Sequence, residues 1–510
     1  MQLSFEDARR RRGLTLAVLP DAARVEERLA RLARKQGLAA FKVACSLAEL
    51  ERELVRAARR AGKCPAPASP EALLLALREA AREHTEGPFF AIRREPGYAR
   101  ALGELLELPE EPGGSEEAAG LGRTLAAARG ILERAGLCEP QRAVRCAIEA
   151  LERGLALPAA LFARAGEVEF DAILDWTPLR LRLLRALAAR LPVRIRLPWP
   201  AGRPELTEPL EPTLRALENL GAAQAPEVEL FDPALRAEVP LVSCASPSAQ
   251  AREVARTCAD LLAAGAAADS IAIAVRRLGG GVAEELAAAL DRYRVPWRER
   301  RGRPALSSPP VRLALSMLDL AEQSFPREAL IELLSSRLLW MREEGDRLPP
   351  QALARVLRQA HVRDGGDIAA RLDALAQRWR AKERDAAPVE ETARRCGRAI
   401  AALRNLPARA TLRDHGAALL RLLEEWSLRE PALQGACVAL ARASAQLGDR
   451  QFARADWAQL LSATLAEVSL RPPGARGGAV QLLELRELSG RAFEHVLVAG
   501  LVDGELPARP

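Results

Sequence analysis

The chain has 510 residues, too many for one ordinary hydrophobic core, so two or more domains are expected. Hydrophobic residues make up 49% and charged residues 28%, and no apolar run approaches the roughly 20 residues of a membrane helix, so no span is predicted. Lys and Arg number 75 against 68 Asp and Glu, a net +7 that permits a polyanionic partner such as nucleic acid without requiring one.

The start, MQLSFEDARRRRGLTLAVLP, carries an arginine run, but the apolar stretch after it is shorter than the roughly 7 to 15 residues of a signal-peptide core. A cytoplasmic chain is the expectation. Short apolar runs bounded by turn residues read as buried parallel strands at LTLAVL (14–19), VEFDAIL (168–174), VRIRL (193–197), IAIAV (271–275) and HVLVAGL (495–501). Several border a well-signalled helix. Thr177 can cap a helix opened by Pro178, with Leu179, Leu183 and Leu187 every four residues, and another runs from Ser246-Pro247 through Val254 and Cys258 to about Gly265. Alternation of this kind predicts a doubly wound α/β sheet. Between the strands, 46–160 and 305–470 show helical periodicity, including AALLRLLEEW and DWAQLLSATLAEV.

Motifs that would carry chemistry are sparse. A phosphate loop, GxxxxGK[ST], is absent: the Gly62-Lys63 pair is followed by Cys64, and only 13 residues precede Leu14, too few for a strand, loop and helix. In VEFDAILDWTP, Asp171 at a strand end could face Mg²⁺, with Asp175 four residues on; but Ala172 follows where a second acid would stand, so a structural or capping role competes. RYRVPWRERRGRP (292–304) interleaves Trp297 with arginines that include Arg298, Arg300 and Arg301, either a nucleic-acid contact or a solvated loop anchored by its tryptophan. The four histidines are far apart in sequence, and no GxSxG, HExxH or GxGxxG occurs. Eight scattered cysteines without CxxC read as free thiols, with no metal site.

The order of these segments resembles the AddB-type subunits of bacterial ATP-dependent helicase–nucleases, relatives of the UvrD/Rep superfamily-one helicases that carry a PD-(D/E)xK nuclease, over nearly the whole chain. LTLAVLPDAARVEERL is similar to the block bordering the single-stranded DNA path, which implies a DNA contact at Arg24. VEFDAILDWTPLRLRLLRAL resembles the acidic-strand block, degenerate here at Asp171 and Asp175. AQAREVARTCADLLAAGAAADSIAIAVRR resembles the entry to the second motor domain, although the γ-phosphate arginine would fall near Val282 or Ala283. Val480 to Pro507 lines up with the helicase pattern VqLxTxHxxKGLEFxxVfxxGxxxGxxP, with Glu484, Arg486 and Ser489 at coupling positions and Gly490 retained.

The resemblance implies two RecA-like, P-loop NTPase-like parallel-sheet domains, 1–45 with 161–235 and 236–304 with 478–510, interrupted by helical insertions at 46–160 and 305–477. The family uses ATP and Mg²⁺; for this chain no cofactor is expected. DNA and a helicase–nuclease partner subunit are the expected partners. The C-terminal nuclease domain that the resemblance also implies has no match in these residues, so either a fragment of a longer protein or a reduced member is expected. The leading function is a helicase-like, DNA-binding subunit in double-strand-break processing with a degenerate ATP site. An active helicase or exonuclease subunit truncated at both ends, and a protein-interaction scaffold without DNA contact, are the alternatives.

Overall fold

A computed structural model describes residues 2–5, 14–36, 43–84, 87–106, 116–197, 208–225, 239–279, 281–299, 302–339, 349–470, 478–488, 491 and 493–502. The protein is α/β. It divides into two compact units, the first of Met1–Pro67, Pro140–Arg301 and Arg471–Pro510, the second of Ala68–Glu139 and Gly302–Leu470.

The first unit holds two sheets. One contains β1 (Gln2–Phe5), β2 (Leu14–Leu19), β3 (Ala44–Ser46), β4 (Ala165–Asp171), β5 (Val193–Arg196) and β6 (Ala223–Ala225), in the spatial order β3-β2-β4-β5-β1-β6. β2, β3, β4 and β5 are parallel neighbours, whereas β1 runs antiparallel to both β5 and β6. β1 therefore runs from beside Arg196 to beside Val193, so its last residue lies at the opposite end of the strands from Leu19, Asp171 and Arg196. The other sheet is fully parallel, ordered β8 (Trp297–Glu299), β9 (Val480–Glu484), β7 (Ile271–Val275), β10 (His495–Val498). Every residue of β7 and β9 is buried, as expected of parallel strands covered on both faces. On β10 the burial alternates, leaving Val496 and Val498 exposed at the sheet edge.

Helices α1 (Ala22–Gln36), α2 (Leu47–Arg60), α3 (Pro140–Glu152), α4 (Pro178–Ala188), α5 (Pro247–Ala263) and α6 (Gly281–Arg292) accompany these sheets. Their starts follow the sequence signals. Thr177 accepts the Arg180 N–H with Pro178 in the first turn of α4, and Ser246 accepts the Ala249 N–H with Pro247 in the first turn of α5.

All five expected strands form, three of them with shifted limits; the run read as 193–197 ends one residue earlier, at Arg196. The run read as 168–174 pairs over Ala165–Asp171 instead, because Ala172 takes a left-handed backbone (φ 56°) that ends the ladder. The run read as 495–501 stops at Val498, two residues before Gly500 (φ 81°). Trp297–Glu299, within the basic segment, is a strand that periodicity did not reveal.

The second unit is mainly helical, and its core is built from helices such as Pro70–His84, Pro309–Glu322, Leu412–Glu425, Pro431–Leu447 and Arg454–Glu467. Trp457 is buried there with its ring stacked on His415, 5.2 Å between centroids.

All eight cysteines are free. Burial pushes the Cys258 thiol up to about 11 and those of Cys396 and Cys437 up to about 12, from 9.0. Above pH 9 the unfolded chain releases thiol protons that the native chain still holds, so stability falls as pH rises from 9 through the folded values. Denaturant midpoints at pH 8 and pH 10.5 check this. We expect a lower midpoint at pH 10.5, with the shift reduced in a Cys396→Ala, Cys437→Ala protein relative to its own pH 8 value.

Candidate functional site

The site begins with the pleat of β4. Side chains alternate, so Val168 and Phe170 enter the core (0% and 1% exposed) while Glu167, Glu169 and Asp171 share the opposite face. β5 alternates in the same way. Val193 and Ile195 are buried, and the register sets Arg194 beside Glu169 and Arg196 beside Asp171. Three carboxylates on one strand thus meet two guanidinium groups on its neighbour.

A third guanidinium comes from α1, the helix that follows β2. Asp21 accepts the Arg24 N–H at 2.9 Å and fixes the helix start. One turn on, Arg28 bridges two carboxylates, Nη2 to Glu169 Oε1 and Nη1 to Asp171 Oδ2, each 3.0 Å. Glu169 also lies 3.7 Å from Arg194 and 3.6 Å from Arg196, and Glu167 pairs with Arg194 at 2.9 Å while accepting from the Thr15 hydroxyl at 3.3 Å. Glu169 is 5% exposed, and a carboxylate so deeply placed requires this matching of charge.

Arg24 joins the same strand end, its Nη1 donating to the Ala172 carbonyl at 3.5 Å. Asp175 lies apart from the cluster in its bonding. It is exposed, and its carboxylate and carbonyl accept from Arg180 at 2.6 and 2.8 Å, which ties the turn to the first residues of α4. Trp176 closes that turn, donating Nε1–H to the Ile173 carbonyl at 2.9 Å and meeting Phe170 edge-on at 5.5 Å.

The carboxyl end of the second sheet carries Glu484, also buried. Its carboxylate accepts from Arg486 at 2.8 Å and from the Leu278 N–H, just beyond β7, at 3.4 Å. Its own N–H donates to Glu487 at 2.8 Å. Ser489 and Gly490 lie outside the described residues. Arg491 is 3% exposed along its side chain, sits 4.9 Å from the Phe493 ring centre, and pairs through two nitrogens with Glu27 of α1, the Nε contact at 3.1 Å. Helix α1 therefore contacts the acidic strand through Arg24 and Arg28 and the segment after β9 through Glu27.

Of the basic segment, Arg300 and Arg301 lie outside the described residues. Trp297 packs on the core of the second sheet and donates Nε1–H to Asp291 at 2.8 Å; Arg298 donates to the buried Gln481 at 3.0 Å. Both polar groups are engaged by the fold.

This geometry does not suit a magnesium–nucleotide site. Asp171 is committed to Arg28, the position after it is Ala172 in a left-handed conformation, and the nearest buried acid already faces three arginines. Among the described residues no group of three or more His, Cys, Asp or Glu could hold a metal ion, and no helix is long and apolar enough to cross a membrane.

Of the arginines that complete the cluster, Arg24 was expected as a DNA contact, whereas Arg28, Arg194 and Arg196 were not singled out. Two signals were present: Glu167, Glu169 and Asp171 at period two with Arg194 and Arg196 at the same period, and Arg24 with Arg28 at helical spacing. Arg491 had no such signal, since its partner is 464 residues away. Comparison with protein families and with curated proteins finds no match for this chain.

Proposed function

We propose that this chain is a helicase-like, DNA-binding subunit of a double-strand-break-processing helicase–nuclease, with two RecA-like domains in which nucleotide chemistry has been replaced by fixed ion pairs. The observation that carries the reading is the end of β4. A strand end at this position in an active motor would present carboxylates to a metal; here Arg28 holds both Glu169 and Asp171. The second support is α1, which joins that strand to the segment after β9 through Arg28 and through the Glu27–Arg491 pair. Such a chain would grip DNA beside an active motor subunit and would not itself hydrolyse ATP.

Binding of a labelled single-stranded oligonucleotide across a salt series tests the DNA part. The plot of log affinity against log salt should be linear with a negative slope. Replacing Arg298, Arg300 and Arg301 together by glutamine should reduce that slope by about 2, three phosphate contacts at about 0.7 each. Because Arg298 also bonds Gln481, Arg298→Gln alone is measured beside the triple variant; a slope change larger than its own share of about 0.7 reports damage to the sheet. An unchanged slope in the triple variant removes this segment from the DNA path.

A second reading, a protein-interaction scaffold without DNA contact, draws on the edge strand β10, where Val496 and Val498 are exposed, with Leu501 and Val502 just beyond it. It predicts no binding to single-stranded DNA even at low salt.

A further inference from the structure

The second unit contains a cavity of about 260 Å³ that none of the expected site residues lines. Its wall draws Arg78, Glu79, Arg82 and Glu83 from helix Pro70–His84, Ser444 from helix Pro431–Leu447, Arg409 and Phe452 from a two-stranded ribbon, and Asp456 from helix Arg454–Glu467. Four arginines therefore face three carboxylates, once Arg450 is counted.

Those charges are unevenly matched. Arg450 pairs with Glu79. Arg78 and Arg82 both turn to a single oxygen, Asp456 Oδ1, the Arg78 contact at 2.9 Å. Burial, and then the like charge of Arg82, push the Arg78 guanidinium below its usual range. Arg409 is exposed at the wall, and its side chain makes no ion pair or hydrogen bond among the described residues.

Two buried polar atoms add a separate observation. Ser444 is 3% exposed, and its hydroxyl has no hydrogen-bond partner; the Arg82 Nε is buried and has none either. Buried donors are ordinarily satisfied, and each one left without a partner costs about 1–3 kcal/mol. An apolar occupant would leave both donors unmet. An oxyanion would accept from them and from Arg409, and the donors come from three separate elements, as a tetrahedral group can accommodate.

We propose that this cavity binds a phosphate group, with Arg82 Nε, Ser444 Oγ and the Arg409 guanidinium as its donors. The assignment is independent of the helicase reading. The chemistry is the same for a free phosphorylated small molecule and for a nucleic-acid backbone.

Thermal unfolding of the full chain, titrated with inorganic phosphate at constant ionic strength set by chloride, tests it. The expected result is a saturable rise in Tm, as for a ligand that binds the native state, with an apparent affinity weakened about fivefold or more in Arg409→Gln and in Ser444→Ala. Arg409 is exposed and unpaired, so its variant decides the matter if Ser444→Ala perturbs the fold. A rise that climbs without saturating, or that is equal in wild type and Arg409→Gln, is the general salting effect of phosphate and overturns the proposal. Competition then identifies the source. Displacement of phosphate by a single-stranded oligonucleotide assigns the site to a nucleic-acid backbone, and displacement only by a small phosphate monoester assigns it to a free ligand.

Discussion

Arg28→Ala should destabilise the first sheet by about 2–4 kcal/mol, somewhat less than the roughly 3–5 kcal/mol for removing one partner of a fully buried ion pair. The guanidinium is the closest countercharge of Glu169, whose side chain is 6% exposed, and it also holds Asp171, with both contacts at 3.0 Å. Arg194 and Arg196 stay within 3.7 and 3.6 Å of Glu169, which keeps the loss below that of an isolated buried charge. Arg28→Lys should recover only part of it, because an ammonium is a point charge and cannot span two carboxylates as the planar fork does. Amide hydrogen exchange along β4, measured beside chemical denaturation, gives the local readout that a chain with two compact units requires. Coupling in a double-mutant cycle with Glu169→Gln should exceed about 1 kcal/mol. A loss under about 0.5 kcal/mol in Arg28→Ala would place the pair among ordinary surface ion pairs.

Phe170→Ala should cost more, about 3–5 kcal/mol, the range for truncating a buried aromatic. Phe170 lies between Glu169 and Asp171 in sequence but on the other face of β4, 1% exposed, with its ring edge-on to Trp176. The cavity would sit beneath the turn that carries Ala172 and Asp175, so the position of the strand end should loosen with it. Phe170→Leu should cost distinctly less because most of the volume remains. The denaturation midpoint gives the size of the effect, and amide hydrogen exchange along β4 gives its place. An alanine variant as stable as the parent would mean that the opposite face of β4, with its ion pairs, is all that holds the strand.

These two residues show how far the sequence could be read. Phe170, IAIAV and the capped starts at Thr177 and Ser246 were legible because apolar runs and capping residues act locally. The limits of β4 were not, because VEFDAIL reads as one apolar run while the pairing uses the alternating segment AGEVEFD, and Ala172 turns the chain away. β1, β3 and β6 have three or four residues each, too few for periodicity to register. Asp171 could be named from its place after a strand, but its partner could not, since 143 residues separate it from Arg28. Trp297 in the basic segment reads from sequence as either a contact or an anchor. The side-chain bond to Asp291 describes the anchoring component.

We propose that this chain engages DNA without turning over nucleotide, a reading whose second half is supported by the ion pairing at the end of β4 and by the Glu27–Arg491 pair. ATP hydrolysis by the purified chain, assayed with and without saturating single-stranded DNA and magnesium, tests it most directly. The predicted result is that DNA binds in the same samples while phosphate release stays at the buffer background. Hydrolysis above background that DNA stimulates, and that persists after further purification, would contradict it.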